Sequence, residues 1–206
     1  MLENVKVLFH SSILINDDIY IDPFNIQDEK HNANLIFITH SHFDHFSPED
    51  INKISNENTK IICTKDVKEK LKGFTDENIL VVLPNVDYVV NGIEFKTIPA
   101  YNIIKPFHPK HNNWVGYVIK INNESIYITG DTDATEDAKN VKCDILLLPI
   151  GGTYTMNYKD AAKLTNTIKP KAVIPTHYNN NVVGTKDISQ DFIELLDKDI
   201  EYRIDL

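Results

Sequence analysis

Leu35-Ile36-Phe37-Ile38-Thr39-His40-Ser41-His42-Phe43-Asp44-His45 runs an apolar segment straight into three histidines and a carboxylate. A short Ile/Phe-rich run flanked by polar residues reads as a core strand of an α/β sheet. Ligand chemistry in such sheets gathers at the carboxyl ends of the strands. If the chain stays extended, His40 and His42 project from one face at period two and can grip one ion, while Asp44 and His45 follow where the chain must turn and can serve a second. Ser47-Pro48-Glu49-Asp50 comes next, with Ser47 placed as N-cap, Pro48 at the first helical position, and Ile51 and Ile54 one turn apart behind them. The local order is therefore strand, ligand loop, helix. A polar connecting loop is the bland alternative, and it fits a lone histidine better than this cluster.

Working outward, the chain alternates strand and helix in two similar halves. Val5 to Ile15 and Ile19 to Ile21 read as a hairpin, followed by strands at Leu35 to Thr39, Lys60 to Thr64, Ile79 to Leu83 and Glu94 to Ile98. Helices fall near 48–55 and 65–72. The second half offers strands at Val115 to Ile121, Ser125 to Thr129, Ile145 to Leu148, Ala172 to Ile174 and Glu201 to Ile204, with helices near 158–168 and 187–198, the first closed by Pro170. Two sheets, each covered outside by helices, account for so many short apolar strands.

With 206 residues, 42% of them hydrophobic, the chain can bury a substantial core as a single domain over 1–206. A formal charge of −9 leaves no broad basic face and argues against nucleic-acid binding. The opening Met1-Leu2-Glu3-Asn4 and the lack of any apolar stretch of about 20 residues predict neither a signal peptide nor a membrane span, and so a cytoplasmic protein. Cys63 and Cys143 lie inside strand-like segments and read as buried reduced thiols. A glycine-rich phosphate loop with a following lysine is absent, as is a serine nucleophile elbow.

Three later loops also follow apolar strands with ligand-type residues. Gly130-Asp131-Thr132 follows Ser125 to Thr129, and the Asp131 carboxylate has two oxygens with which to bridge two cations. His177 follows Ala172-Val173-Ile174-Pro175-Thr176. Gly151-Gly152-Thr153-Tyr154 follows Ile145 to Ile150, a turn whose backbone donors suit a substrate anion, with Tyr154 placed either to position that substrate or to pack on the next helix.

Taken together, His40-x-His42-x-Asp44-His45, Gly130-Asp131-Thr132 and Pro175-Thr176-His177 resemble the metal-binding motifs of the metallo-β-lactamase superfamily, in the same order. Pro149-Ile150-Gly151-Gly152 through Met156, with Lys169-Pro170-Lys171-Ala172-Val173-Ile174-Pro175, resembles its branch of small metal-dependent hydrolases near the ascorbate-6-phosphate lactonases. The resemblance implies an αββα four-layer sandwich: two mixed β-sheets flanked by helices, with a metal site on one edge. It implies His40 and His42 in a first metal site, Asp44, His45 and His177 in a second, and Asp131 bridging, with Asp44 and Asp131 as the catalytic carboxylates. His10 and Asp22 then border the site, either as strand and turn residues or as hydrogen-bond partners of a ligand histidine.

One position departs from the family pattern. Pro99-Ala100-Tyr101-Asn102 puts an asparagine where the third imidazole of the first site is usual. Either that site is loose, or it prefers a harder ion such as manganese or iron, or His108 or His111 substitutes. Lys105 and Lys110, in the same Pro-rich loop, read either as ordinary surface residues or as a rim attracting an anionic small-molecule substrate. The expected activity is hydrolysis of an ester, lactone or phosphodiester bond by a metal-bound hydroxide, with zinc, one or two ions, first in order and manganese or iron behind it. The alternatives are a non-catalytic binding protein whose first site has degraded at Asn102, and a di-iron redox protein.

Overall fold

A computed structural model describes residues 2–178 and 187–206, which fall into two compact units, Met1–Leu83 and Pro84–Leu206.

The first unit is a six-stranded mixed sheet in sequence order, β1 (Val5–Phe9), β2 (Ser12–Ile15), β3 (Ile19–Ile21), β4 (Leu35–Phe37), β5 (Lys60–Cys63) and β6 (Ile79–Val81). The first three strands pair antiparallel and the rest parallel. The expected single arm from Val5 to Ile15 is broken: His10 takes a left-handed φ of 55° and reverses the chain, so the segment is two strands of a meander. Helices α1 (Pro48–Ile54) and α2 (Lys65–Lys70) carry the chain between the parallel strands. Their apolar residues Ile51, Ile54 and Val67 pack with Ile36, Ile38, Ile61 and Tyr20 in one core. Helix α1 starts as its sequence predicts, with the Ser47 hydroxyl accepting from the Asp50 N–H and Pro48 in the first turn. Asp50 in turn accepts the Asn25 and Ile26 amides at 2.8 and 3.1 Å, which anchors the long loop between β3 and β4 on the helix.

The second unit is a seven-stranded mixed sheet of β7 (Asp87–Val90), β8 (Ile93–Pro99), β9 (Val115–Ile121), β10 (Glu124–Ile128), β11 (Ile145–Pro149), β12 (Ala172–Thr176) and β13 (Glu201–Tyr202), again laid out in chain order. Strands β7 to β10 are antiparallel and β10 to β13 parallel. The turns Asn91-Gly92 and Asn122-Asn123 have positive φ at both residues and join two antiparallel pairs, as type I′ hairpins require. Helices α3 (Glu136–Lys139), α4 (Tyr158–Ile168) and α5 (Ser189–Ile193) complete the unit. Helix α4 begins where Asn157 caps the Lys159 and Asp160 amides and stops where Lys169 turns left-handed ahead of Pro170. It buries Ala161, Ala162, Leu164 and Ile168 with Leu146, Leu148 and Val173.

Three elements differ from expectation. Strand β7 and helix α3 were not anticipated; Asp87-Tyr88-Val89-Val90 is a short, half-exposed strand at the edge of the sheet. The helix expected over 187–198 shrinks to Ser189–Ile193, because the Asn166 side chain bonds the Leu195 carbonyl and the Asp197 amide and draws the following backbone into turns. The two mixed sheets with their helices are the α/β class expected. No helix among the described residues is long and apolar enough to cross a membrane.

Candidate metal centre

In the first unit the cluster grows from two adjacent parallel strands. β3 ends at Ile21 and β4 at Phe37, so Asp22 and Thr39 emerge side by side, and the Asp22 amide bonds the Phe37 carbonyl at 2.9 Å. The Asp22 carboxylate accepts the Thr39 N–H at 2.8 Å, the Thr39 hydroxyl at 2.7 Å and the His45 Nδ1–H at 2.7 Å. That last bond places the proton of neutral His45 on Nδ1 and turns Nε2 toward a ligand. Burial pushes the Asp22 carboxyl above its usual range, against the downward pull of His45 and the Thr39 donors. Because the Thr39 hydroxyl spends its proton on Asp22, it accepts from His40 Nδ1 at 2.9 Å, and His40 Nε2 lies 3.1 Å from His42 Nδ1.

The strand ends before this pair. A turn in which His45 and Phe46 donate to the His42 carbonyl brings His40, His42 and His45 together, so the period-two alternation expected for His40 and His42 is not what juxtaposes them. His10 Nε2 contacts the Asp44 carboxylate at 3.0 Å, and His10 and His45 are both fully buried. One donor atom from each of His10, Asp44 and His45 lies within 4.8 Å of the others.

In the second unit, β10, β11 and β12 run parallel and end together, which gathers Asp131, Gly151 and His177 at one edge of the sheet. Asp131 Oδ2 is 3.2 Å from His108 Nε2 and 3.1 Å from His177 Nε2, and all three residues are buried. Gly151 abuts His177: a Cβ built there falls 2.3 Å from the His177 carbonyl oxygen. Asn102, also buried, bonds His108 through its side-chain oxygen and reaches the Tyr154 carbonyl and Asp133 through its amide nitrogen. Of the two candidate substitutes for the missing imidazole, His108 is therefore in the cluster. His111 is exposed in a short turn over 110–112.

The two lysines are engaged elsewhere. The Lys105 ammonium bonds the Gly152 carbonyl at 2.8 Å and the Thr155 carbonyl, and Lys110 meets the Tyr101 hydroxyl at 3.2 Å and lies over its ring. The Gly152 N–H donates within its own turn to Met156, and Tyr154 packs edge-on against Phe107. Thr39 and Asp133 were missed from sequence; their only signal was adjacency to His40 and the Asp131-Thr132-Asp133 repeat.

Both clusters fit a divalent cation by donor chemistry. Imidazole nitrogens and carboxylate oxygens at this density in a buried site carry mutual repulsion that a cation relieves, and nitrogen and oxygen donors are what zinc and its neighbours take. Residues 4–177 match the β-lactamase superfamily domain. The chain belongs to that superfamily. Within it, the relatives are metal-dependent hydrolases. One from Pyrococcus abyssi is 33% identical over 195 residues, covering 85% of this chain and 84% of its own. Another from Thermococcus kodakarensis is 30% identical over 189 residues, with 85% and 84% covered. A solved structure from Parabacteroides distasonis, described as a metal-dependent hydrolase, is 27% identical with a TM-score of 0.81, covering 98% of this chain and 92% of that one. This superfamily member is thus an enzyme of the metal-dependent hydrolase class.

Proposed function

We propose that the chain, acting as one domain over 1–206, hydrolyses an ester, lactone or phosphodiester bond. In this reading His40, His42, Asp44 and His45 of the first unit and His108, Asp131 and His177 of the second are the metal ligands. The observation that carries it is Asp131: one carboxylate oxygen faces two imidazole Nε2 atoms at 3.2 and 3.1 Å. Two imidazole nitrogens converging on one carboxylate oxygen are held together by shared protons or by a cation, and nitrogen and oxygen donors so gathered suit a divalent ion. A divalent ion, zinc before manganese or iron, supplies when bound a water acidified toward a pKa of about 7 and polarises the bond attacked.

The chain's own residues do the positioning. Asp22 fixes His45 through Nδ1, His10 holds Asp44, and Asp131 would orient a nucleophile and take its proton. No covalent nucleophile is called for: burial pushes both the Cys63 and the Cys143 thiols up to about 12, so both stay protonated near neutrality. Degradation at Asn102 loses its premise in this reading, since His108 lies at Asp131.

The substrate is a small molecule rather than nucleic acid, in keeping with the −9 charge, and the protein is cytoplasmic. An anionic substrate, if used, draws little on Lys105, whose ammonium is tied to carbonyls. The exposed Ile103, Ile104 and Phe107 favour an apolar group on the non-reacting side.

Elemental analysis after chelator-free purification, followed by turnover of a phosphodiester and lactone panel with zinc, manganese or iron restored, tests this. One or two ions per chain with metal-restored turnover is expected; a metal-free protein inert under every ion refutes it.

A further inference from the structure

We infer that Asn102 is a positioning residue for His108: its side-chain amide fixes the imidazole with the proton on Nδ1 and so presents Nε2 at Asp131. The inference rests on the metal-ligand reading above.

Both ends of the amide are determined by their neighbours. Its oxygen accepts the backbone N–H of His108 at 3.0 Å, and that partner is a donor by nature, so the atom facing His108 is the oxygen. The same oxygen lies 3.0 Å from His108 Nδ1, which must then be the protonated ring nitrogen. The amide NH2 is held from the other side by two acceptors, the Tyr154 carbonyl at 3.0 Å and the Asp133 carboxylate at 3.2 Å. A flipped amide would set NH2 against an N–H and oxygen against two oxygens, so only one orientation satisfies all four contacts. With Nδ1 protonated, Nε2 of neutral His108 is the lone-pair atom, and it is the atom aimed at Asp131 Oδ2. The backbone repeats the clamp, because the Asn102 N–H donates to the His108 carbonyl at 2.8 Å and closes the loop between them.

The first unit uses the same device with different chemistry. There a carboxylate, Asp22, receives the His45 Nδ1–H. A carboxylate partner makes an imidazole more basic, whereas the neutral amide of Asn102 orients His108 with less of that effect. The two histidines are thus built as unequal donors. The Asn102 side of the pair further ties His108 to the Tyr154 and Asp133 loops, so one amide sets the register of three loops around one ring.

The test reads the metal-free protein and its zinc affinity. Ring 15N shifts of wild-type protein without metal should show His108 protonated at Nδ1, assigned by the signal lost in His108→Ala. Asn102→Ala should weaken zinc binding by about 10–100-fold in chelator competition and lose the Nδ1–H signature. Asn102→Asp keeps an oxygen for both His108 N–H groups and should recover the Nδ1–H signature, while its second oxygen faces the Tyr154 carbonyl and the Asp133 carboxylate and should lower the thermal midpoint. Thermal unfolding of each metal-free variant separates loss of fold from loss of orientation. A wild-type His108 with no proton on Nδ1 overturns the inference, and so does unchanged zinc affinity in Asn102→Ala where His108→Ala has lost it. Wild-type affinity in His108→Ala overturns the ligand reading beneath, and the inference with it.

Discussion

Replacing Gly151 with alanine places one methyl group against the main chain of His177. The built Cβ lies 2.3 Å from the His177 carbonyl oxygen, while ordinary contact begins at 3.4 Å, so β11 and the end of β12 must separate there by about 1.1 Å. No flexible side chain can absorb this, because the obstructing atom is backbone and both strands are buried throughout. Overpacking of this kind costs about 2 kcal/mol, which for a chain of this size lowers Tm by about 4–8 °C. His177 Nε2 moves with its backbone relative to Asp131, and a ligand displaced by about 1 Å should lose zinc affinity about tenfold or more. Gly152→Ala is the control: φ is +83° there and its Cβ meets only Asn157, so it strains the turn without touching His177. Scanning calorimetry of the chelated proteins and zinc competition with a chromophoric chelator read the two effects separately. An unchanged Tm in Gly151→Ala refutes the steric argument; a lowered Tm with wild-type zinc affinity refutes the placement of His177 as a ligand.

Asp22→Asn can keep an oxygen on the His45 Nδ1–H only by setting its NH2 against the Thr39 N–H that the other carboxylate oxygen accepts; we expect a loss of about 2 kcal/mol and zinc binding weaker by about 10–100-fold, read by urea unfolding and chelator competition, with unchanged affinity counting against a role for the Asp22 carboxylate in orienting His45. The Asp144 carboxyl is held down to about 2 by Lys171 and by the Ser125 amide and hydroxyl. A carboxyl lowered on folding stabilises above its unfolded pKa near 3.8, and that stability is lost as pH falls toward about 2. With Lys171 largely exposed the effect is discounted to about 1 kcal/mol, so Asp144→Asn should cost that much at pH 7 and little at pH 2; equal costs at both would contradict the clip. Cys63 is buried within β5 as expected, whereas Cys143 is half-buried and precedes β11; with both thiols raised to about 12, each should resist a disulfide reagent at pH 8 until urea unfolds the chain, and fast labelling of the folded protein would contradict the raised thiols.

What the sequence made legible was local. The Thr39 to His45 cluster, Gly130-Asp131 and Thr176-His177 each sit directly after a run of buried aliphatic residues, and a strand end followed by a ligand is readable within about ten residues. Helix α4 was legible near 158–168 with Pro170 to close it, and the Asn157 cap fixes its start. What stayed hidden depends on pairings across the chain. The reversal at His10 has no glycine or proline to announce it. The carboxylate that steers His45 lies 23 positions upstream of it, and only the parallel pairing of β3 with β4 brings the two together. Lys105 looked like a free cation because nothing in Lys105-Pro106-Phe107 reveals that its ammonium turns back onto the Gly152 carbonyl. Gly151 and Gly152 suggested a donor-lined turn, yet the first is small because of His177 and the second serves a left-handed turn.

His10, Asp22 and His177 share a left-handed backbone, with φ of 55°, 47° and 58°. Side chains with a Cβ are disfavoured there by roughly 1–2 kcal/mol each, and glycine is the residue that relieves it. At these three corners, then, the substitution that best suits the main chain is the one that deletes the chemistry. Glycine at 10 or 22 would at the same time strand the buried groups those side chains serve, the Asp44 carboxylate in the first case and the His45 and Thr39 donors in the second, and that loss outweighs the main-chain gain. The bonds around the site therefore hold the strained corners in place, and a screen for heat resistance should keep His10 and Asp22 as firmly as a screen for turnover does.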